Sequence, residues 1–142
     1  MAVTQSLCAS FKAELLAAVH DFTSITGDTF KVALYTSTAS LNSSTTVYTT
    51  VGEVTGSGYV AGGNTLTGQS ISLSGTTAFV TFTNSLWVSS TLTATGALIY
   101  NSTNANKAVA VLDFGGPFSS TNNTFTVTFP PATATTAVIT IF

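Results

Sequence analysis

The sequence predicts a mainly β protein, a small antiparallel β-sandwich or open barrel with one N-terminal α-helix. Apolar and hydroxyl side chains alternate in several short runs, most clearly in NTFTVTFP, where Phe125, Val127 and Phe129 fall on one face and threonines on the other. Residues that favour turns separate these runs. A chain of 142 residues has the length of one domain. Residues 1–142 are therefore predicted to form a single β-rich unit.

One helix is predicted over residues 10–23. Phe11, Leu15 and Phe22 recur at helical spacing and form an apolar stripe. His20 falls on the side opposite this stripe, which predicts that it contacts solvent or a partner. The preceding residues, MAVTQSLCA, have no core-forming pattern. Residues 1–9 are therefore predicted to be an N-terminal arm that a neighbouring molecule orders.

Strands are predicted through residues 29–142. In TFKVALYTS, Phe30, Val32 and Leu34 share one face. The stretch GALIYNSTNANKAVAVLDFG, residues 96–115, is typical of a β-hairpin because two runs of β-formers flank the polar residues 101–106. Residues 36–75 are dense in Ser, Thr, Asn and Gly and predict a long polar loop, and loops of this length are often binding elements.

Charged residues are scarce. They make up 6% of the chain, whereas about 25% is typical of soluble domains. The three basic residues are all lysines and are scattered, so no basic patch is available for nucleic acid. No apolar run reaches the length that spans a membrane, and the N-terminus lacks the pattern of a secretory signal. A surface of uncharged hydroxyl and amide groups costs little to desolvate, which favours packing against another protein.

No catalytic, cofactor or metal site is predicted, and the chain is not expected to be an enzyme. His20 precedes Asp21 and lies four residues before Ser24, but consecutive residues on a helix are about 100° apart and do not face each other. The glycine-rich stretch GSGYVAGG lacks the lysine of a phosphate-binding loop. The lone Cys8 excludes an intramolecular disulfide. The remaining carboxylates lack metal-site spacing; they include Asp28, Glu53 and Asp113.

A carbohydrate-binding module is the alternative from another functional class. Trp87 could form a sugar-stacking platform together with tyrosines, namely Tyr48, Tyr59 and Tyr100. A Trp87 buried in the core would exclude this platform, and a core position is the commoner place for a tryptophan within an apolar run such as SLWVSS.

Four segments resemble a widespread group of small virion proteins of tailed bacteriophages. These segments are SFKAELLAAVHDFT, DTFKVALYTSTASL, GALIYN and NKAVAVLDFG, whereas residues 42–75 match little. The resemblance implies a structural protein made in the cytoplasm of a bacterial host and assembled into the virion. Some proteins of this kind are capsid cement or decoration proteins, often trimers at three-fold positions of the shell. Others are tail, baseplate or fibre-attachment components. The resemblance carries no catalytic residues.

The first hypothesis is therefore a capsid decoration protein that stabilises the outer shell. Its predicted partners are the major capsid protein and copies of itself, as a homotrimer. The predicted interface combines residues from the arm, the helix and the long loop, namely Val3, Thr4, Gln5, Leu7, His20, Tyr48 and Tyr59.

Overall fold

The computed structural model describes residues 2–141. Over this range the chain forms two antiparallel sheets and one short helix, which confirms the predicted mainly β class. The elements in chain order are β1 (Ser6–Leu7), α1 (Ala9–Leu16), β2 (Phe30–Tyr35), β3 (Asn64–Thr65), β4 (Ser70–Ser74), β5 (Thr77–Thr81), β6 (Ser85–Asn101), β7 (Lys107–Val127) and β8 (Ile139–Ile141).

A long two-stranded ribbon organises the larger sheet, whose strand order is β1-β7-β6-β2-β3. β6 and β7 pair antiparallel from Ser85↔Val127 to Asn101↔Lys107, so the predicted hairpin is confirmed and extends well beyond residues 96–115. Several register shifts interrupt the pairing, and such bulges bend a strand. The bend brings the rings of Phe114 and Phe125, both on β7, to a centroid distance of 6.3 Å.

Strand β2 is covered on both faces. Its register with β6 puts Phe30, Val32 and Leu34 on one face, as predicted, and all three are fully buried. Ala33 and Tyr35, on the opposite face, are fully buried as well. Because both faces exclude water there, β2 is a continuous apolar run from Val32 to Tyr35 rather than an alternating strand.

The second sheet is small, with strand order β4-β5-β8. Pairing of Ile71 with Val80 and of Val80 with Ile139 places these side chains in one row, of which Val80 and Ile139 belong to the core. In the next row, Leu73 pairs with Ala78, which pairs with Ile141. Leu73 is 73% exposed, so this outer row extends past the core.

The helix is shorter than the predicted 10–23. It ends at Leu16, and the next turn closes with two hydrogen bonds, from Ala18 N–H to the Leu15 carbonyl and from Val19 N–H to the Glu14 carbonyl. This is the Schellman pattern, and Ala18 takes its left-handed position at φ +58°. Glycine is the usual residue there, so the sequence gives no sign that the helix ends at this point.

The predicted arm packs against the rest of the molecule instead of projecting from it. Within the described part of this segment, Val3 is buried and forms an isolated parallel β-bridge with Leu41. Cys8 is completely buried. Ser6 and Leu7 add a short edge strand to β7. Met1 lies outside the described residues. Pairing with β7 supplies the order that the sequence pattern does not reveal.

The predicted long loop, residues 36–75, is a cover for β2 along its edge and on its second face, where the Tyr35 hydroxyl donates to the Thr49 carbonyl. It contains β3 and β4, and isolated bridges join it to β2 at Tyr35↔Glu53 and to β7 at Val47↔Lys107. The Val54 N–H donates to the Leu34 carbonyl. Its polar composition reflects these backbone contacts and turns, so the segment is largely structural.

Candidate functional site

Large apolar side chains are exposed at several places on this sparsely charged surface. Among residues 2–141, three are at least 77% exposed, on the last helical residue, on a turn after the helix and in the glycine-rich segment. These are Leu16, Ile25 and Val60. Singly exposed apolar residues are common on proteins, so local geometry decides which of them is functional.

Ile25 has a distinctive backbone conformation. Its φ is +73°, and the Thr26 N–H donates to the Ser24 carbonyl over 2.8 Å, so the chain turns tightly at Ile25. A β-branched residue rarely adopts this left-handed region, because the conformation costs about 1–2 kcal/mol. The side chain gains no packing in return, since it is 99% exposed. The chain therefore maintains an unfavourable conformation that presents one apolar side chain to the outside.

The turn around Ile25 is braced from several sides. The Asp21 carboxylate accepts hydrogen bonds from the N–H and the hydroxyl of Thr23, which lower the pKa of Asp21. The Gln69 side-chain amide donates to the carbonyls of Thr23 and Asp28, at 3.0 and 3.1 Å. A Cβ at Gly27 would overlap the Thr23 carbonyl oxygen. These contacts hold Ile25 in a fixed position.

His20 is buried, which corrects its predicted place on an exposed helix face. Its side chain is 0% exposed, and its Nδ1 accepts a hydrogen bond of 3.0 Å from the Asn101 amide. That amide also donates to Asp28 over 2.7 Å. The prediction failed because the helix ends four residues earlier and helical periodicity no longer applies at residue 20.

The Asn101 amide orientation follows from its partners. Its oxygen accepts from the N–H groups of Thr103 and Asn104, so its nitrogen must be the group that donates to His20. His20 then carries its proton on Nε2, which faces Glu14 Oε1 at 3.2 Å. Both ring nitrogens are thus used in structural contacts, and neither activates a nucleophile.

Glu14 links this network to the ribbon. Its second oxygen lies 2.9 Å from Lys107 Nζ. Although burial opposes ionisation, the hydrogen bonds from Lys107 and His20 hold the pKa of Glu14 below its ordinary value. The pair ties helix α1 to the start of β7.

Tyr48 and Tyr59, two predicted interface residues, hold a carboxylate. Their hydroxyls donate to the two oxygens of Glu53, each over 2.6 Å, and the Gly62 N–H adds a third hydrogen bond of 2.7 Å. Tyr48 also stacks on Tyr100 at a centroid distance of 4.7 Å. Both tyrosines are half-buried with their hydroxyls directed inward, so their main role in this structure is to anchor the cover on β2.

Alkaline pH is expected to unfold the protein through these tyrosines. Burial, aided by Glu53, raises the pKa of Tyr100 to about 12, and burial with hydrogen bonding to Glu53 raises the pKa values of Tyr48 and Tyr59 too. Tyrosines of the unfolded chain ionise near pH 10, so the contribution of these residues to the free energy of unfolding is constant below that pH and falls as the pH approaches 12. Circular dichroism and tyrosinate absorbance should change together. Tyrosine ionisation near pH 10 with intact β structure would contradict this prediction.

Trp87 is only 3% exposed, which confirms the core position expected for it and excludes it from a sugar-stacking platform. Its indole ring packs between Tyr59 and Phe125, at centroid distances of 6.1 and 6.2 Å. A ring that serves the core cannot stack on a sugar without local unfolding. The carbohydrate-binding alternative loses the feature on which it rested.

An apolar cleft of about 350 Å³ lies between the helix and the small sheet. Phe11, Leu15 and Phe22 contribute to its wall on the helical side, and Ile71 and Ile141 contribute from the small sheet. The polar groups at the cleft are His20 and Asp21, which already have the partners described above. The cleft offers apolar contact area rather than chemistry.

The structure exposes some of the predicted interface residues and buries others. Thr4 and Gln5 are exposed and Leu7 is half-buried, whereas Val3 and His20 are buried. Sequence reasoning did not identify Ile25, because nothing in TSITG indicates that the isoleucine adopts a left-handed backbone conformation. The flanking Asp21 and Gly27 are the residues that could have suggested a tight turn.

Among residues 2–141, no group of three or more His, Cys, Asp or Glu side chains is arranged to hold a metal ion. None of the helical structure described is long and apolar enough to cross a membrane. Comparison of the chain with protein-family models, curated proteins and solved structures finds no match.

Proposed function

We propose that this protein is a structural component of a tailed-phage virion, a capsid decoration protein that binds the outer surface of the shell and stabilises it. Its partners are the major capsid protein and copies of itself, arranged as a trimer at three-fold positions. The sequence resemblance supports the phage assignment. The sparsely charged exterior supports a role in protein contact rather than in chemistry, since such a surface is readily buried.

The Ile25 turn is the observation that carries this proposal. A fully exposed isoleucine in a left-handed, braced turn lowers the stability of the isolated chain. Strain of this kind persists at sites where the presented group has a use. An apolar side chain on a rigid turn suits insertion into a pocket of a partner protein, because little entropy is lost when it docks.

The Ile25→Asn variant is expected to be more stable than the natural chain and to bind particles less well. Asparagine tolerates the left-handed region, so the free energy of unfolding should rise by about 1 kcal/mol. Loss of the apolar side chain should weaken retention on particles. Thermal unfolding and co-sedimentation with particles measure the two effects.

Val51→Asn is the matched control for this experiment. Val51 is also exposed, at 68%, but its φ is not positive. It should show no gain in stability. If Ile25→Asn retained full particle binding, the turn would not be the docking element.

The copy number per particle tests the function itself. A decoration protein is present in hundreds of copies, whereas tail, baseplate or fibre-attachment components number from a few to some tens. Quantitative gel analysis of particles containing this chain, with cryo-electron microscopy to locate it, distinguishes these roles. Localisation on the tail would overturn the capsid assignment.

Salt provides a further check in the same assay. Contacts made by apolar burial should persist at about 1 M salt, where the Debye length is roughly 3 Å. Release of the protein at moderate salt would indicate an ionic contact instead.

A further inference from the structure

The outer edge of the small sheet is open. β4 pairs with β5 on one side, and no other strand within residues 2–141 pairs with its second side. In an antiparallel strand the backbone groups of alternate residues point to opposite sides, so an open edge presents unpaired N–H and C=O groups. The pairing with β5 runs in one unbroken register from Ser70↔Thr81 to Ser74↔Thr77. This edge is therefore a regular template for one more strand.

The larger sheet differs at its edges, because β7, which extends far beyond its pairing with β1, carries Pro117 and several register shifts. Its edge strands, β1 and β3, are only two residues long. Proteins usually protect a longer edge with charge, proline or a bulge. β4 is five residues long and has none of these, and its Ile71 and Leu73 are 56% and 73% exposed. Such an edge needs a partner strand to cover it.

The sequence of β4 is suited to pairing with another copy of β4. The strand is Ser-Ile-Ser-Leu-Ser, which has the same polarity pattern in both directions about Ser72. If two copies pair antiparallel about this centre, Ser72 lies opposite Ser72, and Ile71 lies opposite Leu73. Opposite residues share a face of the sheet, so the four apolar side chains form one stripe.

Charge favours the same arrangement. β4, β5 and β8 contain no charged residue, so two copies of the small sheet meet without repulsion between like charges. β8 is a poorer occupant because its described part has three residues against the five of β4. The proposed contact would have a twofold axis, which is the commonest symmetry of protein oligomers.

We propose that β4 is a contact surface between two copies of this chain, related by a twofold axis at Ser72, which joins their small sheets into one continuous sheet. This contact needs no shell and does not rest on the proposed function. On a shell, twofold axes relate neighbouring three-fold positions, so the same contact would connect adjacent trimers.

Cross-linking of the purified full-length chain tests the proposed register. Ser72→Cys places two thiols opposite each other, and a short bis-maleimide should convert most of the protein into covalent dimers on a denaturing gel. The natural Cys8 is completely buried and should give no product. Ser44→Cys, on an exposed turn remote in sequence, controls for random collision. Equal products from both variants would overturn the proposal.

Two further cysteine variants test other arrangements. Ser74→Cys should cross-link poorly, because its opposite residue is Ser70; if it matched Ser72→Cys, the register would be wrong. If Ser72→Cys formed no dimer alone but cross-linked to Thr140→Cys in a mixture, β8 would be the partner strand and the twofold contact would be excluded.

Substitution of Ser72 by charged residues tests the proposed twofold axis independently of cross-linking. Ser72→Lys and Ser72→Glu each place like charges directly opposite, which should weaken self-association about fivefold. An equimolar mixture should restore association, because Lys then faces Glu. Sedimentation velocity measures all three samples. If the mixture associated no better than the separate variants, Ser72 would not lie on the axis.

Discussion

The Asn101→Ala variant is expected to lose about 3 kcal/mol of its free energy of unfolding. The Asn101 side chain is fully buried, donates to His20 and Asp28, and accepts from two backbone N–H groups of the hairpin turn. All four of its hydrogen-bonding positions are therefore used. Truncation leaves several of these groups without partners, and each unsatisfied buried group costs about 1–3 kcal/mol. Denaturant unfolding measures the loss.

Two other variants separate the amide's role from simple loss of volume. Asn101→Asp preserves the shape but brings a second carboxylate against Asp28, so it should also be strongly destabilised at neutral pH. Asn123→Ala is the control, because Asn123 is exposed and its side chain accepts only from the N–H of Thr124. It should change stability by less than about 0.5 kcal/mol. Similar losses from Asn123→Ala and Asn101→Ala would show that the network is not a stabilising element.

The Gly63→Ala variant should be destabilised even more, by at least about 4 kcal/mol. Gly63 has a φ of +73°, and a Cβ there would overlap the carbonyl oxygen of Val32 on strand β2. The left-handed conformation alone costs alanine about 1–2 kcal/mol. The remainder comes from displacing the backbone of a strand that is buried on both faces. Thermal unfolding, or loss of soluble protein on expression, reports the effect.

Gly75→Ala isolates the conformational part of this cost. Gly75 has a similar φ of +60°, but no atom lies within 4 Å of the position that its Cβ would occupy. It should lose only the conformational cost of about 1–2 kcal/mol. If the two glycine variants were equally stable, the close approach of Gly63 to β2 would have no energetic importance.

The sequence predicted those parts of the fold that depend on local pattern. Alternation placed Phe125 and Val127 in the core, and both are buried. The hairpin turn was recognisable because polar turn residues lie between two runs of β-formers. Period and turn composition are properties of neighbouring residues, so one sequence suffices to detect them.

The features that were missed depend on distant partners or on unusual backbone angles. The helix ends at an alanine in a position that usually carries glycine, so its end had no sequence signal. His20 is buried because Asn101 lies beside it, although the two are far apart in the sequence. Ser6 and Leu7 are ordered by β7 and not by their own pattern. Ile25 could not be singled out because left-handed isoleucine is too rare to predict.

The order of the strands in the larger sheet has a consequence for synthesis of the chain on the ribosome. β1 and β2 emerge early, but they pair with β7 and β6, which are translated much later. Until then β2 has only the two-residue strand β3 to pair with, so the N-terminal half cannot complete its core during translation. The β6–β7 ribbon, in contrast, is one hairpin that can close as soon as it leaves the ribosome. The late-made ribbon thus supplies the surface on which the earlier half assembles, and the nascent chain is exposed to aggregation until the ribbon appears.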